Sequence, residues 1–522
     1  MAESGTSGLT RTRDWAEPLI EHRRPITAFV GRALKGPLHR PVPVDSFADF
    51  QRLFGGLWQP STLSYAVEQF FAIGGRRALI VRVANGARAP TLGLPAGAGV
   101  LRLAGVHPGS REYLRASVDY DGIAGEERFN LVLQRVRSTG SERVEDQEIF
   151  RCVSLAPDSD RFVGELLLRS ELVRVTEPLP SQRPDRSGSA GGPVGYTCSN
   201  SDGDDGRPLT DYDVIGSASD RTGLFALGNE DFDFLCIPPL TRDQDVGLGT
   251  LLVAARLCRE RHALLIVDPP VGWSSAQAAI EGMRTWPFRS DSAFMCYPRV
   301  RAFDPLRGRE EIFASCGAAA GLLSRAEDAL ASHAAEEDWV LRLGVRPAVD
   351  LSESQRARLA QAGITALMAA RAVDAPAVNA RTLATGGCGS PDWLYLSARR
   401  LALSIASSIE RGTRWVLLEQ NNPTTWSHAR SLVGSFLETL AARGAFAGAT
   451  RAERYFVVCD ERINDATSVA AGRINLLFGI AARRAGEFDA WLVSHDPSAS
   501  RVRPVSVNRL LTGGGQLETI RL

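Results

Sequence analysis

His262 and Asp268 bracket the apolar run ALLIV and are the first residues whose types suggest proton transfer. A serine hydrolase needs its nucleophile on a tight turn, with a histidine and a carboxylate within reach. Read as a strand, residues 262–268 hold the two side chains roughly 20 Å apart, too far to share a proton. Neither SGSAGG at 187–192 nor GWSSA at 272–276 supplies the G-x-S-x-G turn. Gly247-Leu248-Gly249 has no third glycine and no Walker lysine, so it reads as a helix start rather than a phosphate cradle. Asn200, Asp202 and Asp204 begin like a calcium loop, but Asp205 stands where glycine is required and no suitable glutamate closes it. They read as a solvated loop. Asp460, Glu461 and Asp465 follow an apolar run and read equally as an interface set or an exposed turn.

Seven dispersed histidines contain no H-E-x-x-H and no i, i+4 pair, which argues against a catalytic metal. Eight cysteines are scattered singly without C-x-x-C. Those in apolar runs, such as Cys236 and Cys459, are expected in the core, and a reducing compartment fits. Lys+Arg and Asp+Glu both total 60, and Lys35 is the only lysine, so nothing points to a nucleic-acid partner. Arg399-Arg400 and Arg483-Arg484 are expected on solvated helix faces. The N-terminal MAESGTSGLTRTRDW has no apolar h-region, and no stretch reaches membrane-spanning length, so neither a signal peptide nor direct membrane insertion is expected. No catalytic, cofactor or metal residue is assigned, and an enzyme is not expected.

At 522 residues the chain is expected to divide into several units. Residues 1–22 read as a polar arm. In 23–92, Ser46 to Asp49 reads as a capping box, and Leu63, Ala66, Val67, Phe70 and Phe71 follow helical spacing. Gly74 suits a left-handed cap, and ALIVRV reads as a buried strand. Residues 93–176 alternate with period two, predicting an inserted antiparallel β domain, and 177–222 reads as loop or linker. Residues 223–375 alternate strand and helix, which implies a parallel sheet covered by helices. Within them, Cys316 to Ala335 and Ser352 to Ala362 read as helices. Residues 376–495 read as a further α/β block, with a buried strand at Trp415 to Leu418 and a helix at Ser427 to Arg443. In that helix Ala429, Leu432, Val433, Phe436, Leu437 and Leu440 share one face, while Arg430, Glu438 and Arg443 lie off it. Residues 496–522 form an extension.

Several runs, in order, resemble contractile tail sheath proteins of phages and related injection machines. SFADFQRLFGG and SYAVEQFFAIGG match the family's opening, with Ile73 in place of a polar residue. DFLCIPPL, LLIVDPPVGWS, MRTWPF and SAFMCYPRVRAFDPLRGR follow, then NARTLA, DWLYLSARRL, RGTRWVLLEQNNPTTW and VCDERINDATSVAAGRINLLFGIAARRAGEFDAWLV. The resemblance covers about residues 23–494. Two departures stand at the ends: DWAEPLIEH replaces the family's proline-glycine-valine-tyrosine entry strand, and residues 495–522 run past the usual finish.

The resemblance implies a multi-domain α/β protein. Its core α/β sheath domain would be formed from both chain ends, with a central parallel-sheet α/β domain and an inserted small antiparallel β domain. It implies a structural subunit that polymerises in six-fold rings around an inner tube and contracts to drive that tube through a target envelope. Partners would be copies of itself, the inner tube, and baseplate and terminal cap proteins. Assembly would be cytoplasmic, within a phage tail or a releasable injection particle. Arg430, Glu438 and Arg443 are candidates for the tube-facing surface. Phe488, Trp491 and Val493, in FDAWLVSH, are candidates for a strand given to a neighbour, so removing 487–522 is expected to block ordered assembly while leaving the subunit folded. A hydrolase-like or nucleotide-binding enzyme built on the central block, and a non-contracting sheath-like protein, are the alternative readings.

Overall fold

The computed structural model describes residues 25–138, 140–188, 194–200, 202–325, 339–342, 344–369, 380–384 and 391–505, with short strands at 511–512 and 516–517. The expected arm at 1–22 and about half of the expected extension lie outside the described residues.

The chain opens with β1 (Thr27–Gly31), every residue of which is buried. β2 (Val42–Val44), α1 (Phe47–Phe54), α2 (Thr62–Ile73) and β3 (Ala78–Arg82) follow. The Ser46 side chain accepts the Asp49 N–H at the start of α1, and Ser61 accepts the Ser64 N–H at the start of α2. Phe50, Phe54, Leu63, Val67 and Phe70 are buried on the inner faces of these helices. α2 stops at Gly74, whose φ of +133° a side chain would strain. A Cβ on Gly75 would lie 2.4 Å from the Phe70 ring.

The predicted insertion is antiparallel. β4 (Thr91–Ala96), β5 (Gly99–Gly105), β6 (Tyr113–Asp119), β7 (Arg128–Val136) and β8 (Val144–Ser154) lead to α3 (Val163–Leu168), β9 (Val173–Thr176) and β10 (Thr197–Cys198). They form two sheets, β10-β6-β7-β8 and β4-β5-β9, which share one apolar core that includes Leu92, Leu101, Val118, Phe129 and Leu131. Polar bonds fasten this unit to the opening block. Glu112 accepts the Gly36 N–H at 3.2 Å and pairs with Arg135 at 3.0 Å, and Lys35 pairs with Glu145 at 2.5 Å. Buried Arg82 donates to the carbonyls of Ala33 and Gly36.

Beyond α4 (Asp211–Ile215), a 3-10 turn (Gly223–Asn229) and β11 (Phe234–Cys236), helix and strand alternate as expected. The elements are α5 (Leu248–Glu260), β12 (Leu264–Val267), α6 (Ala276–Thr285) and β13 (Ala293–Tyr297). A hairpin of β14 (Val300–Asp304) and β15 (Arg309–Phe313) precedes α7 (Cys316–Leu323). β16 (Val340–Leu341), β17 (Arg346–Pro347), α8 (Glu353–Gln361), β18 (Thr365–Ala366) and β19 (Met368–Ala369) complete the block. α7 is shorter than the helix expected to reach Ala335, and residues 326–335 lie outside the described ones. It rests directly on α2, because Gly317 and Gly321 leave room for the Ala66 and Phe70 carbonyls, which an added Cβ would approach to 2.1 and 2.8 Å.

One seven-stranded sheet has the order β18-β13-β12-β11-β1-β3-β2. Its two faces bury different residues of each strand, as a period of two requires. Phe29, Ile80, Cys236, Ile266 and Phe294 lie in one core. Ala28, Val81, Leu235, Leu265 and Met295 lie in the other.

This pairing corrects the expected layout, in which residues 23–92 and 376–495 would build one core. β1 lies parallel between β3 and β11, with Thr27 opposite Phe234, so the opening block completes the central sheet. The reason is burial: β1 and β3 have no solvent face, and such strands need neighbours and helices on both sides.

The last block forms its own core. α9 (Leu396–Gly412), a 3-10 turn (Arg414–Leu418), α10 (Pro423–Ala442) and α11 (Arg451–Arg454) precede β20 (Tyr455–Val458). α12 (Ala466–Ala470), β21 (Ile474–Ile480), β22 (Asp489–Asp496) and β23 (Ala499–Val505) follow, and the strands pair antiparallel in the order β20-β21-β22-β23. Only Leu396 and Leu403 of α9 reach into the core beneath α2 and α7. The strand expected at Trp415 to Leu418 is the 3-10 turn. It starts where α9 ends, Val416 donates back to the Thr413 carbonyl at 3.1 Å, and Leu418 is 79% exposed.

Candidate assembly surfaces

The residues first considered for chemistry serve the fold. His262 and Asp268 sit at opposite ends of β12, as the strand spacing requires. Burial, then Arg399 and Arg261, lowers the His262 imidazole to about 4. Asp268 accepts the backbone N–H groups of Ser315 and Cys316 at 2.6 and 2.8 Å, so it caps α7. Gly247 begins α5, and its N–H is taken by Asp211 at 2.8 Å. Ser275 is the N-cap of α6. Asp202 accepts from the Thr91 backbone and hydroxyl, and Asp205 from Ser110, which ties the loop to the inserted unit. Asp465 caps α12, and Asp460 pairs with Arg462 at 2.7 Å. Among the described residues, no group of three or more His, Cys, Asp or Glu is placed to hold a metal. No described helix is long and apolar enough to cross a membrane. Cys236 and Cys459 are buried free thiols.

Two buried polar sets escaped the sequence reading. Arg399 and Arg400 are 3 and 7% exposed, not on a solvated face as expected. Arg399 pairs with Asp291 at 3.0 Å, donates to Ser292 and stacks on Trp393, which joins the last block to the end of α6 and the start of β13. The partners lie over 100 positions away, and a dibasic pair gives no sign of them. Arg483 and Arg484 are exposed as expected, but on a bend rather than on a helix face. The second set is Asp304, fully buried in the β14–β15 hairpin, which accepts from Arg242 at 2.8 Å and from Tyr65 of α2. The Arg242 guanidinium also lies 5.0 Å over the Tyr65 ring and 5.1 Å over Phe313. A lone arginine before α5 carried no signal for this enclosure.

The two candidate assembly sites differ in availability. On α10, Ala429, Val433, Phe436, Leu437 and Leu440 are buried, and Arg430, Glu438 and Arg443 are exposed. Arg430 and Glu438 are also held from below. Arg430 lies 3.7 Å from Asp460, and Glu438 accepts the Tyr455 hydroxyl at 2.5 Å. Burial and this bond push the Tyr455 phenol up to about 12. The outward surface is therefore fixed in shape rather than a set of loose side chains.

Phe488, Trp491 and Val493 are not placed to be given to a neighbour. β22 is paired along its length with β21 on one side and β23 on the other. Trp491 and Val493 are 2 and 0% exposed within the last block's core, and Phe488 packs edge-on to Phe456. A strand with both edges taken cannot add to another sheet without first leaving its own. The sheet instead ends at β23, which among the described strands pairs only with β22.

No protein-family model matches the chain. No curated protein matches it either. Among solved structures, the chain is similar to the sheath tail protein of Listeria innocua, with a TM-score of 0.61 and 12% identity, over 91% of this chain and 95% of that one. It is also similar to the sheath tail protein of Desulfitobacterium hafniense, with a TM-score of 0.52 and 13% identity, over 95% of this chain and all of that one. The chain thus has the fold of these sheath tail proteins over nine-tenths of its length.

Proposed function

We propose that this chain is the sheath subunit of a contractile injection machine or phage tail. The observation that carries the proposal is the shared fold over nine-tenths of the chain. The ordered motifs read from the sequence point the same way. In this reading the subunit polymerises helically in six-fold rings around an inner tube, anchored by a baseplate and closed by a terminal cap. It assembles in the cytoplasm and acts as part of the particle, without catalysis.

The physical requirement is a contact that propagates, since heterologous contacts that do not close generate open helices. Contraction then needs blocks that rotate as rigid bodies between two lattices. The two polar fastenings suit that demand: Glu112 and Lys35 tie the inserted unit to the opening block, and Arg399 ties the last block to the central one. The exposed face of α10, with Arg430, Glu438 and Arg443, is assigned to the inner tube. Lacing between neighbours is assigned to the outer edge of β23 rather than to β22.

Negative-stain microscopy of the purified protein, alone and with its inner tube, tests the proposal. Tubes or stacked rings are expected. A folded chain that stays monomeric under every assembly condition, tube included, would overturn it.

A further inference from the structure

Two exposed apolar clusters lie on opposite layers of the central sheet, and neither has a role in the reading above. Phe303, Leu306 and Ile312 of the β14–β15 hairpin are 61, 49 and 50% exposed. Phe303 stands opposite Glu310 and Arg301 opposite Ile312, so Phe303 and Ile312 are diagonal neighbours on the outer face. The inner face carries Asp304 and Phe313, which bind Tyr65 and Arg242 and hold the hairpin to α2. The outer face is therefore presented on a rigid support, which lowers the ordering cost of docking. Around it stand Arg301, Arg307, Arg309 and Arg346, set against Glu310 and Glu311, so its rim carries a surplus of arginine.

The second cluster belongs to the opposite layer. Tyr212 of α4 is 86% exposed, and Leu248 and Leu252 of α5 are 41 and 54% exposed. Leu248 and Leu252 lie one turn apart on a single ridge. Asp211 fixes α4 against the start of α5 by accepting from the Gly247 N–H at 2.8 Å and the Thr250 hydroxyl at 2.6 Å. Asp211 and Asp213 flank Tyr212, and Arg256, one turn beyond Leu252, is paired with Glu260 at 2.9 Å, so this rim carries an acidic surplus.

Either cluster facing its own copy would bring like charges together, whereas each facing the other pairs basic rim with acidic rim. We propose that the Phe303–Ile312 hairpin face docks on the Tyr212–Leu252 ridge of a second copy of this chain. The inference rests on the polymeric reading above and names one contact within it. Because the two surfaces differ and sit on opposite layers, the contact is heterologous and repeats from copy to copy.

The test mixes two single-site variants, Phe303→Cys and Leu252→Cys, both on a background in which Cys152 and Cys198, the non-buried cysteines among the described residues, and Cys388, outside them, are serine. Oxidation of assembled material should give a disulfide between position 303 of one copy and 252 of another, identified by mass spectrometry. A Phe303→Glu variant should fold normally by circular dichroism and raise the critical concentration for assembly at least tenfold. Tubes that form normally but yield only 303–303 or 252–252 links, or none, would overturn this contact and leave the sheath reading standing. Folded chains that never assemble would remove both.

Discussion

The Tyr65 hydroxyl donates to both carboxylate oxygens of Asp304, at 3.0 and 3.2 Å, across 239 positions of sequence. Burial acts to raise the Asp304 carboxyl, but bonds from Arg242, the Leu306 N–H and Tyr65 outweigh it and leave it below the ordinary carboxylate range. A group depressed in this way stabilises the fold above its unfolded pKa, and the contribution is lost as pH falls through the folded value. Removing the cation should cost more than removing the hydroxyl. Arg242→Met leaves a buried carboxylate short of its partner and is expected to cost about 3–5 kcal/mol. Tyr65→Phe is expected to cost about 1.5–3 kcal/mol. Chemical denaturation at neutral pH checks both, and a double-mutant cycle with Asp304→Asn should show coupling between positions 65 and 304.

Three histidines should make the protein sensitive to mild acid. Burial, reinforced by nearby arginines, lowers His107 to about 3 and His262 and His495 to about 4. His495 bonds the Thr413 and Ser500 hydroxyls, each at 2.8 Å, which suits a neutral ring. The unfolded chain takes up these protons near pH 6.5 and the folded chain does not. Stability is therefore full above about pH 6.5 and falls as pH drops toward 4, with each histidine adding up to about 1.4 kcal/mol per pH unit. Denaturation midpoints measured from pH 7.5 to 4.5 should show that slope. His495→Gln should remove its own share, and an unchanged slope would count against the assignment.

Arg399 should behave as a joint between blocks. Arg399→Met leaves Asp291 without its buried partner and is expected to destabilise by about 3–5 kcal/mol. Arg399→Lys should not rescue it, because an ammonium cannot both pair with Asp291 and lie flat on Trp393. Limited proteolysis should then release the last block from the central one faster than in the wild type.

Truncation distinguishes the two sides of β22. Removing residues 506–522 takes nothing from the four-stranded sheet and should leave the last block folded. Removing 487–522 takes Trp491 and Val493 from the core, and loss of the tryptophan alone is expected to cost about 3–5 kcal/mol. Proteolysis and circular dichroism separate these outcomes. A folded product from the longer deletion would restore β22 as a strand free to be given away.

Much of this architecture was legible from local pattern. The period-two runs of the insertion, the strand–helix alternation of the central block and the caps at Ser46 and Gly74 each depend on neighbours within a few residues. What stayed hidden depends on distant partners. Nothing near β1 shows that Phe234 stands opposite Thr27, and nothing near Arg399 shows Asp291 beneath it. FDAWLVSH reads as a strand with adhesive edges, but its alternation does not say whether those edges are already taken. The exposed residues of α10 were legible because helical spacing alone separates Arg430, Glu438 and Arg443 from the core.

The pairing of β1 with β11 also sets a clock on the nascent chain. β1 and β3 leave the ribosome early, yet the parallel edge of β1 waits for a strand over 200 residues later. Parallel pairing over such a separation closes slowly, because the intervening loop must be restricted first. The inserted unit, with its own antiparallel core, can condense during that delay and shorten the effective loop. The last block, whose α10 face is assigned to the tube, is made only after the central sheet has all its strands. Order of synthesis thus keeps the tube-facing surface out of existence until the body that must carry it can fold.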